Sequence, residues 1–484
     1  MSTATAQRAT STLAPAATRN MLRRFSWGPT DELFAAAKAA GGARPWFNQQ
    51  LADTIDDSAA DAMRSWFPHL NLSVAELITA GERGLRPWDF TMELVRWTLL
   101  RRTFSKRQVH EVMTAFWSDH LHIPTPTNNS WELRLEHDAM IRTHALGRFE
   151  DMLVQVDLGR AMGCYLVNAL STKQRLNENL GREVLELHTV GLVAGYGEPD
   201  VLDSSRILTG YRVDLDTLDA TYVPADHYVG PVSVLEFSRS NSSPDGRQVA
   251  EDYLRYLARH PATARRIARK LCVRFVSDSP GAAIVDTVAA AYLSSGTDIK
   301  KTLRALVGHP DFLASSSRKT RTPVEDAVAS YRALGMQATP PTQSTDFAYQ
   351  TSTQVIAMGE CPFEWPRPDG PPDVADAWVS VTRMLGSFNV HYQLANEWNP
   401  RTGVTYPDPE SWFPPFPATV RQIASNVFRR ILFREPDERM LAAVAQRIEL
   451  PLDQSFASYQ EGFRPWRVPR LLAAVLDTPE HMSR

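Results

Sequence analysis

The most polar helical stretch of the chain lies between Asn177 and His188, where the surrounding positions are rich in leucine and valine. With 3.6 residues per helical turn, Arg182, Glu183 and Glu186 fall on or near one face of this stretch. Two carboxylates three residues apart can reach one metal ion or one bound group, and a guanidinium can hold an anionic substrate. A buried salt-bridge network that ties helices together is the alternative interpretation.

Histidine is the other residue type whose placement suggests a ligand. His120 ends an apolar helical face that begins at Val109, and His144 and His227 lie near predicted loops or helix starts. A lone histidine on such a face is more often a hydrogen-bonded core residue than a ligand, and that alternative stays open for each of the three. Taken with the two glutamates, they supply the nitrogen and oxygen ligands that zinc, iron or manganese takes.

These observations define a candidate buried site of His, Glu and Arg side chains. The candidate catalytic residues are Arg182, Glu183, Glu186 and His120. The candidate ligands of a divalent metal are His120, Glu183, Glu186, His144 and His227. The sequence lacks HExxH and the di-iron Glu-x-x-His spacing, and it also lacks the Walker A, GxGxxG and GxSxG patterns. The commonest zinc-protease, nucleotide-binding and serine-hydrolase classes are therefore excluded.

The elements that must position these residues are mostly helical. Apolar residues recur at helical spacing through most of the chain, which predicts an all-α, or nearly all-α, multi-helix domain. One short β-hairpin is expected at about residues 220–237, with Pro-rich loops in the C-terminal third. We expect the helices at 107–121 and 177–190 to pack together and to bring His120 near one of the two glutamates.

Composition places the chain among globular proteins. It has 484 residues, of which 43% are hydrophobic and 22% charged, so a sizeable core can form. Residues 1–18 are rich in Ala, Thr and Ser and predict a disordered tail. Residues 19–484 are expected to form a single unit, with a looser C-terminal subregion from about residue 336.

Charge and hydropathy limit which partners and which cellular compartment we expect. The formal net charge is −3 and like charges do not cluster in runs, which argues against nucleic acid as a partner. No stretch approaches the roughly 20 apolar residues of a membrane span. The first 20 residues lack the apolar segment of a secretory signal, which predicts a cytoplasmic protein, with export by a partner left open.

Several segments together resemble a known family. They begin at Leu22 (Leu-Arg-Arg-Phe-Ser-Trp-Gly-Pro-Thr), Val112 (Val-Met-Thr-Ala-Phe-Trp-Ser-Asp-His-Leu), Asn177 (Asn-Glu-Asn-Leu-Gly-Arg-Glu-Val-Leu-Glu-Leu-His-Thr) and Arg206 (Arg-Ile-Leu-Thr-Gly-Tyr). In this order they resemble the domain of unknown function 1800, a family of uncharacterised bacterial proteins, over about residues 20–480. The chain departs from the family pattern at three positions, where it has Ser118, His188 and Tyr228.

The resemblance leaves more than one function open. The family has no established activity, so a metal- or cofactor-dependent enzyme rests on the candidate site alone. Because members are often encoded beside a phosphatase/sulfatase-like protein, a non-catalytic partner or assembly factor for such a neighbour is the alternative. A second alternative is a haem-peroxidase-like protein, because the segment from Phe116 to His120, with Arg182 and Glu183 downstream, is similar to a few residues of the animal-type enzymes.

Overall fold

The computed structural model describes residues 13–52, 54–125, 131–316, 319–460, 463 and 466–484. This part of the chain is dominated by helices, which confirms the predicted fold class. None of these helices combines the length and the apolar content that a bilayer crossing requires.

The α-helices of the described residues follow one another with short connections. In chain order they are α1 (Ala16–Arg24), α2 (Asp31–Ala39), α3 (Ala43–Gln50), α4 (Ser58–Ala62), α5 (Val74–Glu82), α6 (Pro87–Phe104), α7 (Gln108–His120), α8 (Arg134–His144), α9 (Phe149–Asp157), α10 (Arg160–Tyr165), α11 (Asn179–Glu183), α12 (Glu198–Ile207), α13 (Arg247–Ala258), α14 (Pro261–Phe275), α15 (Ala282–Ser294), α16 (Ile299–Gly308), α17 (Pro310–Leu313), α18 (Pro323–Ala333), α19 (Phe347–Ala357), α20 (Ala375–Trp378), α21 (Val381–Ala395), α22 (Val420–Leu432), α23 (Glu438–Ile448) and α24 (Arg467–Leu476). A single π-helical turn, Val184–His188, continues α11.

The β structure consists of short antiparallel pairs. The strands are β1 (Tyr211–Val213), β2 (Ala220–Tyr222), β3 (Val232–Val234), β4 (Phe237–Arg239), β5 (Gln337–Ala338), β6 (Val404–Thr405), β7 (Ala418–Thr419) and β8 (Ser455–Phe456), paired in that order. The β3–β4 hairpin lies where one hairpin was expected, but β1–β2 starts before that region and two further pairs join distant segments. Strands of two or three residues are too short to produce the alternation by which a strand is found in sequence.

The N-terminal helix packs into the middle of the molecule. Phe25, which follows α1, stacks on Phe275 at the end of α14 with ring centroids 4.2 Å apart, and it also contacts Phe47 and Phe312. The predicted tail therefore ends earlier than residue 18, because Ala16 already belongs to α1. Residues 1–12 of that tail lie outside the described residues.

The C-terminus is bound to the middle of the chain. Helix α18 begins with a capping box, in which the Thr322 hydroxyl accepts the Glu325 N–H and the Glu325 carboxylate accepts the Thr322 N–H. Pro323 occupies the first helical position, where its missing N–H costs nothing. Arg484 pairs with Glu325, so the last residue of the chain closes onto the first turn of α18.

Candidate functional site

A cleft of about 250 Å³ opens where the C-terminal end of α7 meets the first turn of α18 and the segment after α19. Its apolar walls include Trp27, Phe363, Trp365 and Trp378. Its charged walls are Arg102, Asp119, Arg274, Glu325, Glu360, Glu364 and Asp373. Clefts that combine aromatic walls with convergent ionisable groups are the usual form of a small-molecule site.

Asp119 is a carboxyl of this cleft whose acidity is strongly altered. It lies in the last turn of α7, and burial raises the pKa of its carboxyl to about 7. Arg102 and Arg274 act against this rise, whereas the negative charges of Glu360 and Asp373 add to it. A carboxyl with a pKa near neutrality can both donate and accept a proton under physiological conditions.

Glu360 is a second carboxyl in the wall of the cleft. Burial raises its pKa as well, even though one carboxylate oxygen accepts the Val324 N–H at 2.9 Å. The neighbouring Cys361 thiol also has a raised pKa because it is buried and lies beside Glu364. The thiol therefore stays protonated, which argues against a nucleophilic cysteine at this position.

The remaining charges of the cleft compensate one another. Arg274 lies 2.7 Å from Glu325 and 3.4 Å from Asp373, and Asp373 also pairs with Lys319 and Arg484. Burial opposes ionisation of Asp373, but these three cations outweigh it and hold its pKa below its usual range. Asp373 is thus a permanent negative charge, in contrast to Asp119 in the same cleft.

His120, the residue after Asp119, faces away from the cleft. Its Nε2 lies 3.1 Å from the carbonyl oxygen of His188, and its Nδ1 lies 2.9 Å from Lys270 Nζ. Burial, together with the charges of Lys270 and Arg266, holds the pKa of the imidazole well below its usual range. The helices predicted to pack are therefore in contact, through a neutral His120 and the backbone of the π-helical turn.

The predicted cluster of Arg182, Glu183 and Glu186 does not form, because the Arg182 guanidinium pairs with other carboxylates. Arg182 turns outward, with a nitrogen 2.7 Å from Glu198 and 3.3 Å from Glu178. Glu183 is partly buried, and burial raises its pKa. Glu186 lies in the π-helical turn, whose i→i+5 hydrogen bonds depart from the α-helical spacing on which the predicted shared face depends.

The other two predicted ligands lie elsewhere. The His227 ring is held between the Thr209 carbonyl oxygen and Asn241 Oδ1, each at 3.0 Å, and is fully buried. His144 is partly buried at the end of α8. Among the described residues, the five predicted ligands do not bring three ligand atoms within 4.8 Å of one another.

A different group meets that spacing. Ligand atoms of Asp326, His391 and His481 lie within 4.8 Å of one another, and all three residues are buried. Asp477 accepts a hydrogen bond from His391 Nδ1 at 2.8 Å, the second contact that commonly orients a metal-binding histidine. Arg383 lies 3.2 Å from the other oxygen of Asp326, and its positive charge opposes a dication.

The comparison with known families gives one match. The family described as "Protein of unknown function (DUF1800)" matches residues 20–483. The chain belongs to this family. No curated protein and no solved structure matches the chain.

Sequence reasoning about this DUF1800 chain missed the residues of the cleft. Asp119 lies inside a segment that carries the family resemblance, directly before His120, yet only the histidine is among the predicted site residues. Glu360 and Asp373 lie on either side of the Pro-rich run at 366–372, for which the sequence predicts only a loop. The useful signal was an isolated acidic residue at the end of an apolar helix, since such a carboxyl must be buried with little compensation.

Proposed function

We propose that the chain is an enzyme that uses general acid–base catalysis in the Asp119 cleft. The observation that carries this proposal is a carboxyl with a pKa of about 7 in a cleft of about 250 Å³. A proton donor or acceptor is most effective when its pKa lies near the working pH. Asp119 would transfer the proton, while Glu360 is a second, less altered carboxyl of the cleft.

The other groups of the cleft have supporting roles in this proposal. The tryptophan walls would pack against apolar faces of a substrate and limit water around the carboxyl. Arg102 and Arg274 keep the pKa of Asp119 from rising further, so that the ionised form is still reached near neutral pH. Catalytic roles for Arg182, Glu183 and Glu186 remain separate proposals, because their side chains are not among those lining this cleft.

The experiment is a comparison of variants on a substrate panel. Nitrophenyl esters, phosphates, sulfates and glycosides would be offered to the protein and to Asp119→Asn, with the exposed Asp453→Asn as the matched control. We expect turnover of one class of substrate, with a rate whose pH dependence changes slope near pH 7. That turnover should be lost in Asp119→Asn and kept in Asp453→Asn. Glu183→Gln in the same panel tests the role predicted for that residue. Turnover that survives in Asp119→Asn, or none on any class, would contradict the proposal.

We also propose a divalent-metal site at Asp326, His391 and His481. The geometry in its favour is the convergence of one carboxylate and two imidazoles, with Asp477 behind one of them. Asp326 follows Glu325, so a metal held there would brace the wall of the cleft. The positive charge of Arg383 is the main argument against a metal ion at this position.

Metal analysis decides between this group and the residues chosen from sequence. Protein purified without chelators would be analysed by mass spectrometry for zinc, manganese and iron, beside Asp326→Asn and Glu186→Gln. Metal that is lost in Asp326→Asn and retained in Glu186→Gln supports the convergent group. The reverse pattern supports the site predicted from sequence, and protein without stoichiometric metal rejects both.

A further inference from the structure

Three cations lie along one face of α14, at Arg266, Lys270 and Arg274. A spacing of four residues puts them one turn apart on the same side of the helix. Arg274 is neutralised by Glu325 and Asp373. The other two differ from it, because no carboxylate of the described residues lies within ion-pair distance of Arg266 or Lys270.

Lys270 and Arg266 are held close together without a counter-ion. Within the described part of the chain, the Lys270 ammonium bonds only the neutral ring of His120. Burial, followed by the charge of Arg266, lowers the Lys270 pKa to about 8. Arg266 is partly buried, and its Nε is buried with no hydrogen-bond partner among the described residues. Leaving two desolvated cations side by side is costly unless an anion joins them.

A further donor and a close backbone approach lie at the same place. The Tyr196 hydroxyl is also buried without a partner among the described residues, and it lies near enough to Arg266 for the guanidinium charge to affect its pKa. A side chain at Gly191 would place its Cβ 2.6 Å from the guanidinium, and the φ angle of Gly191 is +71°. Glycine thus lets the guanidinium lie against the loop. Beyond ion-pair distance, Glu186 acts on Arg266, and Asp119, Asp369 and Asp373 act on Lys270.

We propose that Arg266, Lys270 and Tyr196 form a binding site for a tetrahedral oxyanion, a phosphate or sulfate group. Arginine offers a planar fork of N–H donors, lysine a compact charge and tyrosine an O–H, a combination that matches several oxygens on one centre. His120 contributes by holding Lys270 in place through its lone pair. The site does not depend on proton transfer by Asp119, because an anion can bind here whether or not the cleft is catalytic.

Calorimetric titration of the whole protein with inorganic phosphate, sulfate and acetate tests the proposal. We expect saturable binding of phosphate, sulfate or both, with acetate at least tenfold weaker. Lys270→Met and Arg266→Met should each weaken that binding by tenfold or more. The control is Arg269→Met, which removes an exposed charge from the same helix and should change the affinity less than twofold.

Thermal melting separates loss of the site from loss of the fold. Without added anion, Lys270→Met and Arg266→Met should melt no lower than the parent protein, since each removes an uncompensated charge. Tyr196→Phe removes only a hydroxyl and should weaken binding while keeping the fold. Absence of binding by the parent protein overturns the proposal. An equal loss in Arg269→Met also overturns it, because it indicates general attraction to positive charge.

Discussion

Replacing Asp119 with asparagine should stabilise the protein at alkaline pH and leave its stability unchanged in acid. The folded chain keeps the Asp119 carboxyl protonated up to a pKa of about 7, whereas an unfolded aspartate ionises near 3.8. At pH values below the pKa of the unfolded aspartate, both the folded and the unfolded state bind the proton, so this carboxyl does not lower the free energy of unfolding. As pH rises through the window between the two values, only the unfolded state gains by ionisation, and the folded state becomes relatively less stable.

The size of the effect follows from the width of that window. A shift of about 3 pKa units corresponds to roughly 4 kcal/mol, at about 1.4 kcal/mol per unit. Asp119 is partly accessible through the cleft, and water there screens the charge, so we expect about 1–3 kcal/mol at pH 8. Asparagine has the shape of the protonated acid and cannot ionise, so the variant should avoid this loss.

Urea denaturation at pH 4, 6 and 8 measures the effect. The free energy of unfolding of Asp119→Asn should equal that of the parent protein at pH 4 and exceed it increasingly toward pH 8. Asp453→Asn, at an exposed carboxylate, should show no such divergence. A variant that is less stable than its parent at pH 8, or a difference that does not change with pH, would refute the assigned acidity.

Three further perturbations test the packing. Gly181→Ala should destabilise the fold by about 1–3 kcal/mol, because the added Cβ would lie 2.7 Å from the Ser205 backbone nitrogen and closer still to its hydroxyl. Gly308→Ala, with open space around it, is the matched helical control and should be neutral or slightly stabilising in the same urea titration. Asp326→Asn should lower the free energy of unfolding by about 3–5 kcal/mol, since it leaves the buried cations Arg383 and His391 without their carboxylate. An unchanged midpoint of urea denaturation would contradict this stabilising role of Asp326. Deleting residues 1–12, which belong to the tail predicted at residues 1–18, should leave the melting temperature unchanged, and a large drop would show that they pack on the body.

Local pattern was sufficient for the helical fold class of this chain. The predicted 107–121 helix is α7, and the family match spans residues 20–483, as the ordered segments indicated. Periodicity succeeds here because a helix that buries one face must repeat its apolar residues at 3.6-residue spacing whatever it packs against. The sequence did not predict the short strand pairs β5–β6 and β7–β8, because the two strands of each pair are distant in sequence.

The sequence by itself indicated that His120 and the polar stretch from Asn177 carry polar groups that need partners. Only the tertiary structure decided which partners they have: His120 meets Lys270 and the backbone of His188, while Arg182 turns to Glu198. The same holds for the pKa of Asp119, which depends on burial and on charges from α6, α14 and the segment after α19. Burial and long-range pairing depend on how distant helices pack, and a helical period contains no information about which faces will meet.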